Sequence, residues 1–398
     1  SVNMHRGCFG GCAFCTISAH QGKFIACRSK ESIIKEVKKV IEMPDFKGYL
    51  SDLGGPSANM YGMHGKNPKA CAVCKRPSCP NLVTDHTPLL DIYHAVDALP
   101  GIKKSFIGSG VRYDLLLHKS KEEKWNAAAR QYTRELICKH VSGRLKVAPE
   151  HTSDAVLKLM RKPSFKLFEE FKRIFDKINT EENLRQQIIP YFISSHPGCR
   201  EEDMAELAVI TKRLDFHLEQ VQDFTPTPMT VSTETWYTGY DPYTLEPVFS
   251  AKTPRDKLAQ RQFFFWYKPE ERRGIEQELR RIGRPDLIQQ LYAGVPAPNQ
   301  GRNFGNNRRP EFERQQFERD VQPRDKNRRA HDKPSSQRDG FGKQGSLRDG
   351  YGKQRDCSGG KYGGGKGYNA GGNYSGKANG NGRGAAARKD NGRNIRRK

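Results

Sequence analysis

The chain has 398 residues, of which 35% are hydrophobic and 29% charged, with a mean hydropathy of −0.82. That length allows two or three domains, but the average polarity excludes one compact core throughout, and no apolar run approaches the roughly eighteen residues of a membrane span. The formal net charge is +24, yet residues 301–398 hold 25 Lys and Arg against 10 Asp and Glu, so most of the basic signal belongs to the tail.

In chain order, residues 1–6 read as the end of a first β-strand feeding a cysteine loop. Ser29, Lys30, Glu31 and Ser32 mark a helix start, with Ile33, Ile34, Val37, Val40 and Ile41 at helical spacing and Pro44 beyond the end. Lys47 to Leu53 reads as a second strand, ended by Gly54, Gly55 and Pro56. A helix over 88–100, a third strand over 104–110, a helix over 127–141 and a fourth strand over 144–149 follow. Helices over 153–177, a fifth strand over 187–195, a helix over 201–217 and a sixth strand over 218–224 complete the pattern. Strand alternating with helix six times predicts an α/β fold with a parallel sheet and right-handed crossovers. Ligands in such folds gather at the C-terminal ends of the strands.

The pattern breaks after residue 228. Residues 229–294 read as an extension of Pro-rich turns and then two helices, over 257–267 and 270–291. The aromatic run Phe263, Phe264, Phe265, Trp266, Tyr267 is expected to pack this extension onto the core, the other reading being an aromatic platform for a ligand. From Val295 to Lys398 the chain is rich in Gly, Arg, Lys and Asn, with 20 of its 38 glycines at or beyond Gly301. Such a stretch buries too little apolar surface to offset its chain entropy and is expected to be disordered. Its Arg–Gly steps and interspersed Tyr351, Tyr362, Tyr368 and Tyr374 suit nonspecific binding to nucleic acid, against a merely solubilising role.

Ten cysteines at metal-like spacing suggest a reducing, cytoplasmic setting and not a disulfide framework. Cys8, Cys12 and Cys15 stand in a C-x3-C-x2-C spacing among Gly7, Gly10 and Gly11, with Phe14 before the last thiol. Thiolates so placed suit a soft metal or an iron–sulfur cluster, and three ligands are one fewer than a closed cluster takes. A second group, Cys71, Cys74 and Cys79, lies in a polar insertion at about 60–86. It is open between a structural Zn²⁺, an auxiliary iron–sulfur cluster and a reduced loop, with His64, His86 or Cys27 as the fourth ligand of a metal site. Cys138, Cys199 and Cys357 are isolated thiols.

The motif Cys8-x3-Cys12-x2-Cys15 resembles the signature of the radical S-adenosylmethionine (radical SAM) superfamily. The longer stretches Val2 to Cys8, Ser51 to Gly62 and Asp223 to Pro228 look like the YgiQ-type family within it. The resemblance implies an incomplete parallel (β/α)6 TIM-like barrel over residues 1–228 and a 4Fe–4S cluster on Cys8, Cys12 and Cys15. It also implies S-adenosylmethionine on the fourth iron, cleaved reductively to a 5′-deoxyadenosyl radical after an electron arrives from a donor such as flavodoxin or ferredoxin. Gly54, Gly55 and Pro56 correspond to a cofactor-binding Gly-Gly element whose carbonyls meet the methionine amino group; an ordinary strand-ending turn is the other reading. Ser109, Arg112 and Glu150 are placed to reach the carboxylate or ribose of the cofactor, against a reading as surface ion pairs. His151 is either a substrate acid or base or a capping residue. A chain that starts at Ser1, already inside the motif, reads as a fragment, and the resembling family carries a further N-terminal domain. The substrate is not legible. The alternative function is a non-catalytic zinc- and RNA-binding protein built on the Cys71 group and the tail.

Overall fold

The structure, a computed structural model, describes residues 1–73, 79 and 81–294. Among these residues the protein is mixed α/β, with many helices and several small sheets. Local chemistry sets the helix ends. Ser29 Oγ accepts the Ser32 N–H at 3.2 Å and caps Lys30–Ile41, whose Ile33 and Val37 face inward. Thr253 and Asp256 exchange reciprocal bonds of 3.1 Å at the head of Pro254–Arg261.

Most strand segments pair in chain order, and these pairs are parallel. Val2–Asn3 lies beside Leu53–Gly54, and Tyr49–Leu50 beside Lys104–Ser105. Val111 bridges to Val147, and Gln187–Ser194 lies between Arg144–Glu150 and Gln220–Asp223. Among the described residues only the last three strands form a continuous ladder. The third strand is shorter than its sequence suggests because the N–H groups of Gly108 and Ser109 turn to the Asp52 carboxylate instead of a neighbouring backbone.

Other departures have equally local causes. The helix expected over 270–291 is two, Pro269–Arg281 and Asp286–Tyr292, because Gly283 adopts φ +73° and Pro285 follows it. The helix expected over 127–141 starts earlier, as Glu123–Glu135, and its last turn, Leu136–His140, widens to a π-turn. The Pro-rich segment after 228 contains an unexpected helix, Val231–Thr238, capped by Thr230. Two antiparallel pairs, His5–Arg6 with Ala26–Cys27 and His64–Gly65 with Leu82–Val83, are too short to leave a periodic trace.

The core is continuous from the strands into the extension. Phe165, Phe168, Phe171 and Phe175 line one face of Phe165–Glu181, and Phe263, Phe264, Ile275, Leu279 and Leu291 join the same apolar cluster. The aromatic run therefore divides: Phe263 and Phe264 are buried, while Phe265, Trp266 and Tyr267 are half-buried, with Tyr267 stacked on His217 at 4.6 Å between ring centroids. Among the described residues no helix is long and apolar enough to cross a membrane. The disorder and nucleic-acid binding expected of 295–398 lie outside the described residues.

Candidate metal centre at the cysteine loop

The loop from Gly7 to Cys15 follows the strand segment His5–Arg6 and is tied to the rest of the chain at several points. Gly7 has φ +90°, and a Cβ there would come 2.2 Å from the Phe24 carbonyl oxygen, so only glycine fits. The Cys8 N–H donates to Gly22 O at 3.0 Å and Ser18 Oγ donates to Cys8 O at 2.6 Å. Further along, the Ala13 N–H donates to Met160 O at 3.0 Å, while Ala13 O accepts the Ser232 N–H at 2.9 Å. Phe14 sets its ring edge-on to His196 at 6.0 Å, and His196 is bonded through Nε2 to Ser232 Oγ at 2.7 Å.

Cys8, Cys12 and Cys15 are free, half-buried thiols. Burial pushes the Cys8 and Cys15 thiols up, and backbone N–H groups of Gly10 and Ile17 respectively pull them back. The Gly10 N–H lies 3.4 Å from Cys8 Sγ. Among the described residues no three His, Cys, Asp or Glu side chains converge on one point as ligands of a single ion do. A cluster asks for something different, since each thiolate binds its own iron and the sulfurs surround a volume. Three reduced thiols on one loop, with N–H donors directed at two of them, are the donor set such a cluster takes.

The other sequence candidates lie around this loop, several of them already engaged. Gly54 pairs with Asn3, and its carbonyl accepts the Met4 N–H at 2.8 Å, so it is part of the ladder. Neither glycine has room for a side chain: a Cβ on Gly54 would meet Ser109 Oγ at 2.8 Å, and one on Gly55 would meet His5 Cε1 at 2.4 Å. Ser109 Oγ donates to Asp52 Oδ2 at 2.6 Å, which makes it a clasp between strand ends. The Arg112 fork, expected to take a ligand carboxylate, is already filled by Asp114, with Nε–Oδ1 at 3.0 Å and Nη2–Oδ2 at 2.6 Å. Its Nη1 faces Gly10, where a Cβ would come within 2.2 Å.

Glu150 is different. It holds φ +71°, an uncommon conformation for a residue with a side chain, and burial raises its carboxyl pKa. Oε1 lies 3.6 Å from Lys162 Nζ, and the buried Oε2 has no hydrogen-bond partner. Ser195, at the end of the adjacent strand, repeats the pattern with φ +60° and an unpartnered, buried Oγ; Thr152 Oγ1 is also unpartnered. Strain and unsatisfied polar atoms together at two adjacent strand ends are costly features that ligand sites tend to hold. His151 is fully buried, with its pKa pushed down to about 3 by burial. It accepts the Ser153 N–H at 3.0 Å and lies 3.4 Å from Cys199 Sγ, a capping and packing arrangement.

Sequence reasoning missed Asp52, Asn59, Asp114, Lys162 and Ser195. Asn59 is fully buried and brackets the Arg112 backbone, donating to its carbonyl at 2.9 Å and accepting its N–H at 2.8 Å. The only advance signal was the presence of Asp52 and Asn59 in the stretch Ser51 to Gly62. Of the second thiol group, Cys71 and Cys79 are half-buried and Cys74 lies outside the described residues. Asn81 Nδ2 is 3.2 Å from Cys71 Sγ, and Cys27 Sγ accepts the Gly62 N–H at 3.1 Å. His86 is buried in the core and stacks on Tyr132 at 5.1 Å, and its Nε2 has no hydrogen-bond partner.

A family model described as a domain of unknown function (DUF3362) matches residues 219–359. A UPF0313 protein of Bacteroides thetaiotaomicron is 78% identical over 298 residues, covering 73% of this chain and 48% of that protein. One from Porphyromonas gingivalis is 65% identical over 298 residues, covering 73% of the chain and 47% of that protein. The UPF0313 protein YgiQ of Salmonella typhimurium is 40% identical over 328 residues, covering 78% and 44% respectively. The chain thus spans about half the length of the curated relatives it matches.

Proposed function

We propose that this chain carries the cofactor-binding part of a radical SAM enzyme, with a 4Fe–4S cluster on Cys8, Cys12 and Cys15 and a substrate not yet known. The observation that carries this reading is the loop itself: three free, half-buried thiols among glycines just after the strand segment His5–Arg6, with the strained strand ends at Glu150 and Ser195 in the same part of the fold. Parallel pairing in strict chain order agrees with an incomplete (β/α)6 barrel, which would bring these ends to one rim. When bound, the cluster supplies the electron that cleaves S-adenosylmethionine to methionine and a 5′-deoxyadenosyl radical, which abstracts hydrogen from substrate.

The chain's own residues would then bind, orient and shield. The carbonyls of Gly55 and Pro56, past the end of the paired strand, are backbone acceptors for the methionine amino group, while the His5 ring closes the Cα face of Gly55. Glu150 Oε2, unpartnered and buried, is an acceptor for a ribose hydroxyl, and Ser195 Oγ and Thr152 Oγ1 are further polar atoms in want of a partner. Met60, Met63, Leu82 and Leu115, packed together with Cys8 and Phe9 against them, keep water from one side of the loop. A flavodoxin- or ferredoxin-type donor and a reducing cytoplasm complete the reading.

Anaerobic reconstitution with iron and sulfide tests it. A brown protein that forms 5′-deoxyadenosine from S-adenosylmethionine and dithionite is expected, with loss of both properties in Cys8→Ala, Cys12→Ala and Cys15→Ala. A folded protein that retains no iron overturns the reading. Stoichiometric zinc held through Cys71 and Cys79, without iron at the loop, would favour the zinc- and RNA-binding alternative.

A further inference from the structure

We infer that the Arg112–Asp114 ion pair sets the reduction potential of the centre on Cys8, Cys12 and Cys15, with Arg112 raising it and Asp114 lowering it; the inference rests on the cluster reading above.

The geometry is unusual in its economy. Asp114 takes Nε and Nη2 of the guanidinium side-on, at 3.0 and 2.6 Å, which fixes the plane of the group and directs the remaining nitrogen, Nη1, away from the carboxylate. That nitrogen faces Gly10. A Cβ built on Gly10 would lie 2.2 Å from Nη1 and 3.3 Å from Cys8 Sγ, so cation and thiol flank the same point, and it is kept clear by the absence of a side chain. Both charged side chains are about one-tenth exposed, where their fields are poorly screened. The pair is therefore an oriented dipole with its positive end toward Cys8. Arg112 is a positioning residue by this account, because it acts through the loop and touches no substrate.

Its placement does not depend on the side-chain pair alone. Asn59 brackets the Arg112 main chain through both its N–H and its carbonyl, so substitutions beyond Cβ leave that backbone held. A fixed cation near a cluster favours the form carrying the extra electron, and a fixed anion opposes it. The two partners consequently have opposite signs of effect, which a purely structural role does not produce.

The test is potentiometry followed by electron paramagnetic resonance on the anaerobically reconstituted chain. Arg112→Met is expected to make the midpoint more negative, disfavouring reduction about tenfold, or about 59 mV for one electron. Asp114→Asn is expected to move it to more positive potential. Arg112→Lys, which keeps the charge without the fork, should lie between Arg112→Met and the parent. Should Arg112→Met fail to hold iron, Arg112→Lys and Asp114→Asn decide the matter. Shifts of Arg112→Lys and Asp114→Asn in the same direction, or unchanged potentials in proteins of normal iron content, overturn the inference. Absence of iron from the parent chain overturns the cluster reading instead.

Discussion

Asp52 holds Ser109 by two bonds, accepting its N–H at 3.0 Å and its hydroxyl at 2.6 Å, and takes the neighbouring Gly108 N–H at 2.8 Å as well. One carboxylate thus replaces a stretch of sheet ladder between two strand ends. Bonds to a charged acceptor are stronger than neutral ones, so Asp52→Ala should lower unfolding stability by about 2–3 kcal/mol, seen as a shifted urea midpoint at constant slope. Ser109→Ala removes only the hydroxyl bond and should cost about 1–2 kcal/mol. Equal costs for the two variants would show that the backbone bonds contribute little.

Ser195 carries two costs at once, a left-handed backbone and a buried hydroxyl without a partner. Glycine removes both. Ser195→Gly is expected to raise stability by about 1 kcal/mol in thermal unfolding, while weakening S-adenosylmethionine binding in equilibrium dialysis. A variant that is both less stable and equally good at binding would separate this strand end from the ligand site.

Gly55 lies against the His5 ring, and the pair offers a test of close approach. Gly55→Ala alone should cost about 1–3 kcal/mol through overpacking. In the double variant His5→Ala, Gly55→Ala the costs should fall short of additivity, because shortening His5 makes the room that the new methyl needs. Strict additivity in chemical denaturation would mean that the clash relaxes elsewhere.

Five buried histidines make the fold acid-sensitive, His140 among them with its pKa pushed down by burial. Burial lowers His5 and His86 to about 4 and His151 and His196 to about 3, from an ordinary 6.5. Between those values the unfolded chain binds protons that the folded chain refuses, so stability is full above pH 6.5 and declines as pH falls toward 3. Denaturant midpoints measured from pH 7 to pH 4 should fall steadily, and His86→Phe, which keeps a ring against Tyr132, should flatten the slope. A midpoint independent of pH over that range would contradict the burial of these groups.

The elements readable in advance were those with long periodicity. The helices Lys30–Ile41, Thr87–Asp97 and Glu201–Arg213 and the strands Arg144–Glu150 and Gln187–Ser194 were within a few residues of their expected limits. Two-residue strands leave no such pattern, and the fused helix over 270–291 concealed its break because Gly283 and Pro285 interrupt an otherwise favourable amphipathic run. At the site, the cysteines and glycines were legible because their spacing is local. The clasps were not: Asp52 with Ser109, Asn59 with Arg112 and Glu150 with Lys162 join positions whose nearness only the fold creates. Arg112 shows the limit best. Its type suggested a ligand carboxylate, but a neighbour two residues away, Asp114, had already taken the fork.

Ala13 is strung between Met160 and Ser232, donating to one and accepting from the other. During synthesis these partners emerge long after the cysteines, so until then the loop has only its local ties from Cys8 to Ser18 and Gly22. Chains cut short before residue 232 would lack the Ser232 bond to Ala13, between Cys12 and Cys15. The helix Val231–Thr238 is thus a late segment that fixes the middle of the earliest loop.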